Sequence, residues 1–235
     1  MDVRRLLPIL AAAALIIAAF SFPPKQAVAR GASAPPDEAE LSAEKSLGSP
    51  SAPIRLEVFD DYECPACGNF YETTLRQMID TYVAEGKVYL VHRDFPLPGH
   101  QYSRQAARWV NAAARIGKFE TVERALFDNQ MAWSEYGPEN PKGIIKPIVQ
   151  AALTPVEFKR LEHLMQGCES NDHNELKGCV VDSEIQHDIA AGNFLPVTQT
   201  PTFVVYYKGR AFPPAGGGVS WPILKQFFDQ ALSQR

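Results

Sequence analysis

Residues 62–70 read YECPACGNF, and what lies on either side of that stretch decides the fold. Before it, IRLEVF (54–59) alternates apolar and polar residues with period two, which favours a strand ended by the following DDYECP. After it, Phe70, Leu75, Met78, Ile79, Tyr82 and Val83 recur at three- and four-residue steps. That spacing predicts a helix from about Pro65 to Glu85, closed by Gly86. KVYLVHRD (87–94) is a second strand, rich in β-branched and aromatic residues. The four segments make a βαβ unit with Cys64 and Cys67 at the start of its helix.

The middle of the chain changes character, and from about His100 to Asn193 the pattern is mostly helical. SRQAARWVNAAARIG (103–117) is an alanine-rich helix ended by Gly117, and KFETVERALFDN (118–129) is another. WSEYGPENPKG (133–143) is a loop. Helices are expected over Gly143–Ala152 and Thr154–Gly167. The second opens on Thr154-Pro155-Val156-Glu157, with an N-cap, a proline at the first helical position and an acid three residues on. Asp172-His173-Asn174-Glu175 opens the next helix in a similar way, and that helix should run towards Gly192. Strand character returns at TFVVYY (202–207), followed by a Lys208-Gly209-Arg210 turn and a short partner strand within Arg210–Phe212. PPAGGGVS (213–220) is a loop, and Trp221–Leu232 is the last helix. The order is βαβ, a helical segment of about 97–195, then ββα.

The chain of 235 residues is enough for one domain with an insertion, and 46% apolar with 21% charged residues predicts a packed core. A net charge of -4 leaves no basic footprint for nucleic acid. Residues 1–29 have the layout of a secretory leader: Arg4 and Arg5, an apolar run from Leu6 to Phe20, then Ala27-Val28-Ala29 as a small-residue cleavage site. The run is short for a membrane span, which needs about 20 apolar residues, and Pro8 interrupts it. Either cleavage or an uncleaved anchor places the mature domain outside the cytoplasm, in the periplasm or its equivalent. RGASAPPDEAELSAEKSLGSPSAP (30–53) is expected to be a flexible tether, with a short helix within EAELSAEKSL. The domain proper is expected over 54–235.

Cys64, Cys67, Cys168 and Cys179 are the cysteines, and four allow three pairings. For the CxxC pair three roles compete. A structural zinc needs four ligands, and neither the other two cysteines nor the histidines have matching spacing. A purely structural disulfide across so short a loop constrains the unfolded chain little. A redox-active pair fits the placement better. The unpaired N–H groups and the dipole at a helix N-terminus favour a thiolate, and in CxxC motifs the first cysteine's pKa falls to ~3.5–7.5. Pro65 suits the first helical turn because it needs no N–H there.

FDDYECPACGNFYE (59–72), RDFPLPGH (93–100), AARWVNAAARIGKFE (106–120), LFDNQ (126–130) and QTPTFVVYYKG (199–209) together resemble the DsbA-like branch of the thioredoxin superfamily. The resemblance implies a thioredoxin fold, a mixed sheet flanked by helices, with a helical insertion between the βαβ and ββα halves. It implies that Cys64 is the solvent-facing nucleophile and Cys67 the buried resolving thiol. Pro201 would be a cis-proline facing the CxxC, and the backbone at Thr200 and Pro201, with Pro65 and Ala66, would meet the substrate chain. No metal or cofactor is implied. The partners implied are reduced or unfolded exported proteins and a membrane reoxidase of DsbB or vitamin-K-epoxide-reductase type, with the protein itself a monomer.

One position departs from the pattern. Many thioredoxins carry a buried acid six residues before the first active cysteine, where this chain has Val58. Glu57, Asp60, Asp61 and Glu63 are nearby, but as acids they read as a solvated loop with strand-end capping. Glu63, adjoining Cys64, is expected to raise the thiolate's pKa.

A continuous helix would hold Cys168 and Cys179 about 16 Å apart, beyond the reach of a disulfide. A hairpin at the ESND turn (169–172) brings them together, and the even cysteine count in an exported chain predicts a structural disulfide there. A second redox pair and two free thiols are the alternatives. His92 in a strand and His100 in the FPLPGH loop have no ligand spacing and read as structural.

The activity expected is introduction of disulfides into exported proteins by thiol-disulfide exchange. A reduced isomerase or reductase fed by a membrane electron donor is the alternative within enzymes. A non-catalytic, chaperone-like peptide-binding module is the alternative outside them.

Overall fold

The computed structural model describes residues 44–135, 145–168, 179–212 and 215–233. Strands β1 (Ser46–Leu47), β2 (Ile54–Asp60), β3 (Val88–Asp94), β4 (Thr202–Tyr207), β5 (Arg210–Ala211) and β6 (Ala215–Gly216) share one sheet in the order β1-β3-β2-β4-β5, with β6 also on β4. β2 and β3 run parallel, with Val58 opposite His92 and Asp60 opposite Asp94, and β4 lies antiparallel on the other side of β2. Period two puts Ile54, Leu56 and Val58 on one face with Val88 and Leu90, all fully buried in the main core. Phe59 faces the opposite side, where Phe95, Val197 and Val204 close a second, smaller cluster.

Helix α1 spans 65–83. It is α-helical at Pro65–Phe70 and Arg76–Met78, with wider π turns at Tyr71–Leu75 and Ile79–Val83. Phe70, Tyr71, Leu75, Met78 and Tyr82 are the side it buries. Gly86, at φ 68°, turns the chain into β3, a left-handed conformation that glycine adopts without cost. The insertion contains α2 (Ser103–Ala114), α3 (Phe119–Asp128), α4 (Gln130–Trp133), α5 (Ile145–Ala152), α6 (Pro155–Leu164) and α7 (Val180–Phe194). Small residues let α2 pack closely: Ala106, Ala107, Ala112 and Ala113 are at most 1% exposed. α6 opens on the capping box expected at Thr154 and Glu157. Helix α8 (Trp221–Ser233) returns to α1, where the Tyr82 hydroxyl donates to Asp229 at 2.5 Å. The architecture is βαβ, helical insertion and ββα, as expected.

Two boundaries differ from expectation. The flexible tether drawn to Pro53 gives way at Ser46–Leu47 to a strand on the β3 edge, and the short helix expected within 38–47 lies mostly outside the described residues. Lys45 is buried there, its ammonium paired with Asp94 at 2.5 Å and with Asp188. Burial alone would push that ammonium's pKa down, but the two carboxylates outweigh it and hold it above the usual lysine range. Composition gave no sign of this anchor because its partners lie 49 and 143 residues away. The second difference is Cys179, which sits at the N-cap of α7 rather than inside the helix expected to open at Asp172–Glu175 and run towards Gly192. The leader at 1–29, most of the 30–53 stretch, the ESND turn and Asp172–Glu175 lie outside the described residues. No helix among the described residues is long and apolar enough to cross a membrane.

Candidate active site

The strand-to-helix corner of β2 and α1 carries the two thiols. Cys64 occupies the N-cap of α1, and its carbonyl accepts the N–H groups of Cys67 at 3.0 Å and Gly68 at 3.1 Å. Pro65 and Ala66 are exposed, whereas Cys64 is 7% and Cys67 1% exposed. Both are free thiols. This is the asymmetry a relay needs, with one sulfur at the rim and the other behind it.

The thiols differ as sharply in acidity. Hydrogen bonding from Cys67, together with the turn's N–H groups, pulls the Cys64 pKa down to about 5 against the opposing effect of burial. Burial pushes the Cys67 thiol well up, and the neighbouring Cys64 and Asp60 add to that. At neutral pH Cys64 is a thiolate and Cys67 a thiol.

The Thr200–Pro201 peptide bond is cis, and the Thr200 carbonyl lies 3.6 Å from Cys64 Sγ. The loop is held from behind: Gly217 N–H donates to the Pro201 carbonyl at 2.9 Å, and the Thr202 hydroxyl to the Gln199 carbonyl at 2.7 Å. The structure thus brings Cys64, Cys67, Thr200 and Pro201 into one site, with Pro65 and Ala66 on its open side. Cys168 and Cys179 are disulfide-bonded to each other, with their Cα atoms 4.9 Å apart. They join the end of the α6 segment to the start of α7.

The acids around the motif are not the solvated loop expected. Glu57, Asp60, Asp61 and Glu63 are all buried, at 3%, 4%, 0% and 0% exposure. Each has a long-range partner that explains it. Glu63 accepts the backbone N–H groups of Tyr102 at 2.7 Å, Ser103 at 3.0 Å and Glu135 at 2.8 Å, capping α2 from outside its own sequence. Asp61 accepts from its neighbour Glu63 N–H and from Leu97 N–H, and pairs with His100 Nδ1 at 2.6 Å. Glu57 meets Arg93 at 3.5 Å and Arg55. Glu63 is committed to α2, and Cys64 is a stronger acid than an ordinary thiol despite it.

Asp60 was passed over in the sequence because it does not occupy the Val58 position. It nevertheless ends the Ile54, Leu56, Val58 face, and its charge acts on the Cys67 thiol, raising that thiol's pKa. Burial raises its pKa to about 7, with His92 opposing and Glu123 reinforcing the rise. A group that titrates near neutrality beside a buried thiol can exchange a proton with it. The legible signal was a carboxylate at the next period-two core position. Gln130 was also missed: its amide donates to the carbonyls of Tyr62 at 2.8 Å and Cys64 at 2.9 Å. No sequence pattern points to a contact across 66 residues.

The family model described as Thioredoxin matches residues 41–212. "Na(+)/H(+) antiporter NhaA 1" of Mycobacterium sp. (strain KMS) is 40% identical over 91 residues, covering 37% of this chain and 14% of the antiporter. "Probable disulfide bond formation protein D" of Bacillus cereus is 36% identical over 66 residues, covering 28% of this chain and 31% of that protein. The chain therefore matches well under two thirds of the length of these curated relatives. Among solved structures, alpha-DsbA1 of Wolbachia pipientis superposes with a TM-score of 0.62 at 19% identity, covering 81% of this chain and 91% of that one. A thioredoxin-like oxidoreductase from Silicibacter pomeroyi DSS-3 gives 0.59 at 23% identity, covering 86% and 100%. At those identities the likeness is one of fold.

Proposed function

The chain belongs to the thioredoxin family, and from that premise we propose that it is a protein disulfide oxidoreductase working outside the cytoplasm. Its sulfur chemistry would run through Cys64 and Cys67. A substrate thiolate attacks Cys64 Sγ, the Cys64–Cys67 bond breaks, and its electron pair leaves on Cys67. Asp60 supplies the proton that turns Cys67 into a thiol. The substrate's second thiolate then attacks its own sulfur in the mixed disulfide, and Cys64 leaves as a thiolate. The substrate has lost two electrons and two protons. Asp60 regains its proton from solvent, so the protein has gained two electrons and, net, the one proton on Cys67, and the substrate's other proton remains in solvent.

One observation carries this reading: Cys64 Sγ, the sulfur of lowered pKa, lies 3.6 Å from the Thr200 carbonyl beside the cis-proline, with the raised-pKa thiol of Cys67 behind it. A stable thiolate is a good leaving group, which drives the second step towards substrate oxidation. The backbone of Thr200 and Pro201 would pair with a bound substrate strand, with Pro65 and Ala66 on the rim. The relative named for disulfide bond formation supports the same direction. Export is supported by the leader pattern of 1–29 and by the Cys168–Cys179 bridge, since such bonds persist in oxidising compartments. A membrane reoxidase would then return Cys64 and Cys67 to the disulfide.

The test is substrate trapping. A Cys67→Ser variant expressed with its leader should accumulate mixed disulfides through Cys64, and a Cys64→Ser variant should accumulate none. The potential of the pair against a glutathione buffer should be more oxidising than glutathione itself. A potential below it would assign the protein to reduction or isomerisation instead.

A further inference from the structure

The Cys168–Cys179 bridge is held from outside itself. Cys168 closes the α6 segment, its N–H on the Met165 carbonyl at 3.1 Å, and Cys179 is the N-cap of α7. Arg108 of α2, 0% exposed, reaches both sides. Its Nη1 donates to the Cys168 carbonyl at 3.2 Å and its Nε to Asp182 Oδ1 at 2.8 Å. Asp182 stands three residues after Cys179, in the first turn of α7. Arg104, one turn earlier on α2, donates to the same carboxylate at 2.9 Å and 2.7 Å. Arg115, at the end of α2, donates to Glu184 at 2.7 Å. Val181 and Ile185, between and beside these acids, are fully buried in the main core. One guanidinium thus ties the backbone on one side of the disulfide to the helix on the other, and none of these bonds passes through sulfur.

A covalent bond already closes this joint, and burying a guanidinium is unfavourable unless partners meet it. The arginine gains a use when the sulfur bond is open. We propose that Arg108 and Asp182 are positioning residues for the Cys168 and Cys179 sulfurs, and that the bridge is a reversible redox site which closes again within the folded protein. The contrasting case is a crosslink made once during folding, whose reduction releases the start of α7. The proposal does not depend on the oxidoreductase reading, and its test removes the Cys64 and Cys67 thiols.

Reduction of the bridge adds two electrons and two protons and leaves two thiols. With the clamp intact, those thiols stay side by side in the core, and closure needs only a small disulfide such as glutathione disulfide. The thiolate of Cys179, the more exposed of the two at 8% against 3%, attacks one sulfur of the oxidant and expels a glutathione thiolate. The Cys168 thiolate then attacks Cys179 Sγ and expels the second glutathione. Two electrons have passed to the oxidant, and the two thiol protons end on the two glutathiones.

The experiment is run on the full chain with Cys64 and Cys67 both replaced by serine, so that only the second pair reacts. Amide hydrogen exchange first compares the dithiol and disulfide forms. Protection from Val181 to Ile185 should differ by less than about tenfold between them, and its complete loss on reduction would overturn the proposal. The equilibrium of the pair with glutathione is then measured in folded protein. Arg108→Gln and Asp182→Asn should each lower the effective concentration of the two thiols by about tenfold, the equivalent of one hydrogen bond to a charged group. Tyr82→Phe, which removes a bond between α1 and α8, should lower the melting temperature and leave that equilibrium in place. An equilibrium unchanged in both clamp variants would also overturn the proposal, because an arginine that only stabilises the fold alters the melt and not the native exchange. If Arg108→Gln fails to fold, the near-isosteric Asp182→Asn decides. If both fail, the hydrogen-exchange comparison decides alone.

Discussion

Gln130 holds the carbonyl of Cys64 from the far side of the thiols, at 2.9 Å, and the space it needs is the space a side chain on Gly68 would take. A Cβ on Gly68 would come within 2.5 Å of Gln130 Oε1. The glycine after the motif therefore admits the insertion to the helix start. Gln130→Ala should cost about 1–3 kcal/mol by leaving the Tyr62 carbonyl short of a partner. Gly68→Ala should cost a similar amount by expelling the same amide. Because both act through one contact, the double variant should fall well short of the sum in urea denaturation.

The acidity of Cys64 makes the reduced protein's stability depend on pH in a definite direction. Its folded pKa is about 5, and an unfolded thiol titrates near 8.5. A group depressed on folding contributes fully above its unfolded pKa and nothing below its folded one. The reduced form should therefore gain on the disulfide form as pH rises from about 5 to 8. Melting temperatures of the two forms across that window would check it. Iodoacetamide at about pH 6 should label Cys64 and spare Cys67.

Glu63 adjoins the nucleophile but serves another helix. Replacing it with alanine strands the buried N–H groups of Tyr102 and Ser103 and frees the more exposed N–H of Glu135, an expected loss of about 2–4 kcal/mol. Glu63→Gln keeps one acceptor oxygen and should lose less. In both variants the ultraviolet thiolate titration of Cys64 should stay close to that of the unmodified protein. A large shift would mean that Glu63 acts on the sulfur directly.

Cys168 and Cys179 close a loop of sequence separation 11. Constraining such a loop stabilises by about 2–3 kcal/mol. Replacing both with alanine should lower thermal stability by that amount and leave thiol oxidation nearly intact. Retained stability with lost turnover would instead make the pair a redox relay.

Periodicity exposed the strands, the long helix and the motif at its start, because each is a local pattern. It also held one clue that was misread. Asp60 falls where Ile54, Leu56 and Val58 predict another core residue, and Glu123 stands on the Phe119, Val122, Leu126 face of α3. Polar residues at core positions are the mark of a buried site, whereas the local pattern of acids around Cys64 reads as loop. What no pattern could show is which distant atoms satisfy them. The partners of Glu63 lie 39, 40 and 72 residues on, and the Lys45 ammonium reaches Asp188 across 143.

The two residues of β1 have a consequence for the proposed work on unfolded chains. An open strand edge presents a row of free N–H and C=O groups, onto which any extended polypeptide can zip. Here Leu90 and Val91 are already paired with Leu47 and Ser46, and His92 N–H donates to the Lys45 carbonyl at 3.0 Å. The Lys45 ammonium, locked between Asp94 and Asp188, rivets that short cover in place. A client chain cannot join the sheet along this stretch and be carried off in a growing stack. On the proposed reading a client chain would instead meet the protein on the far side of β2, at Thr200 and Pro201, beside a sulfur that lets go.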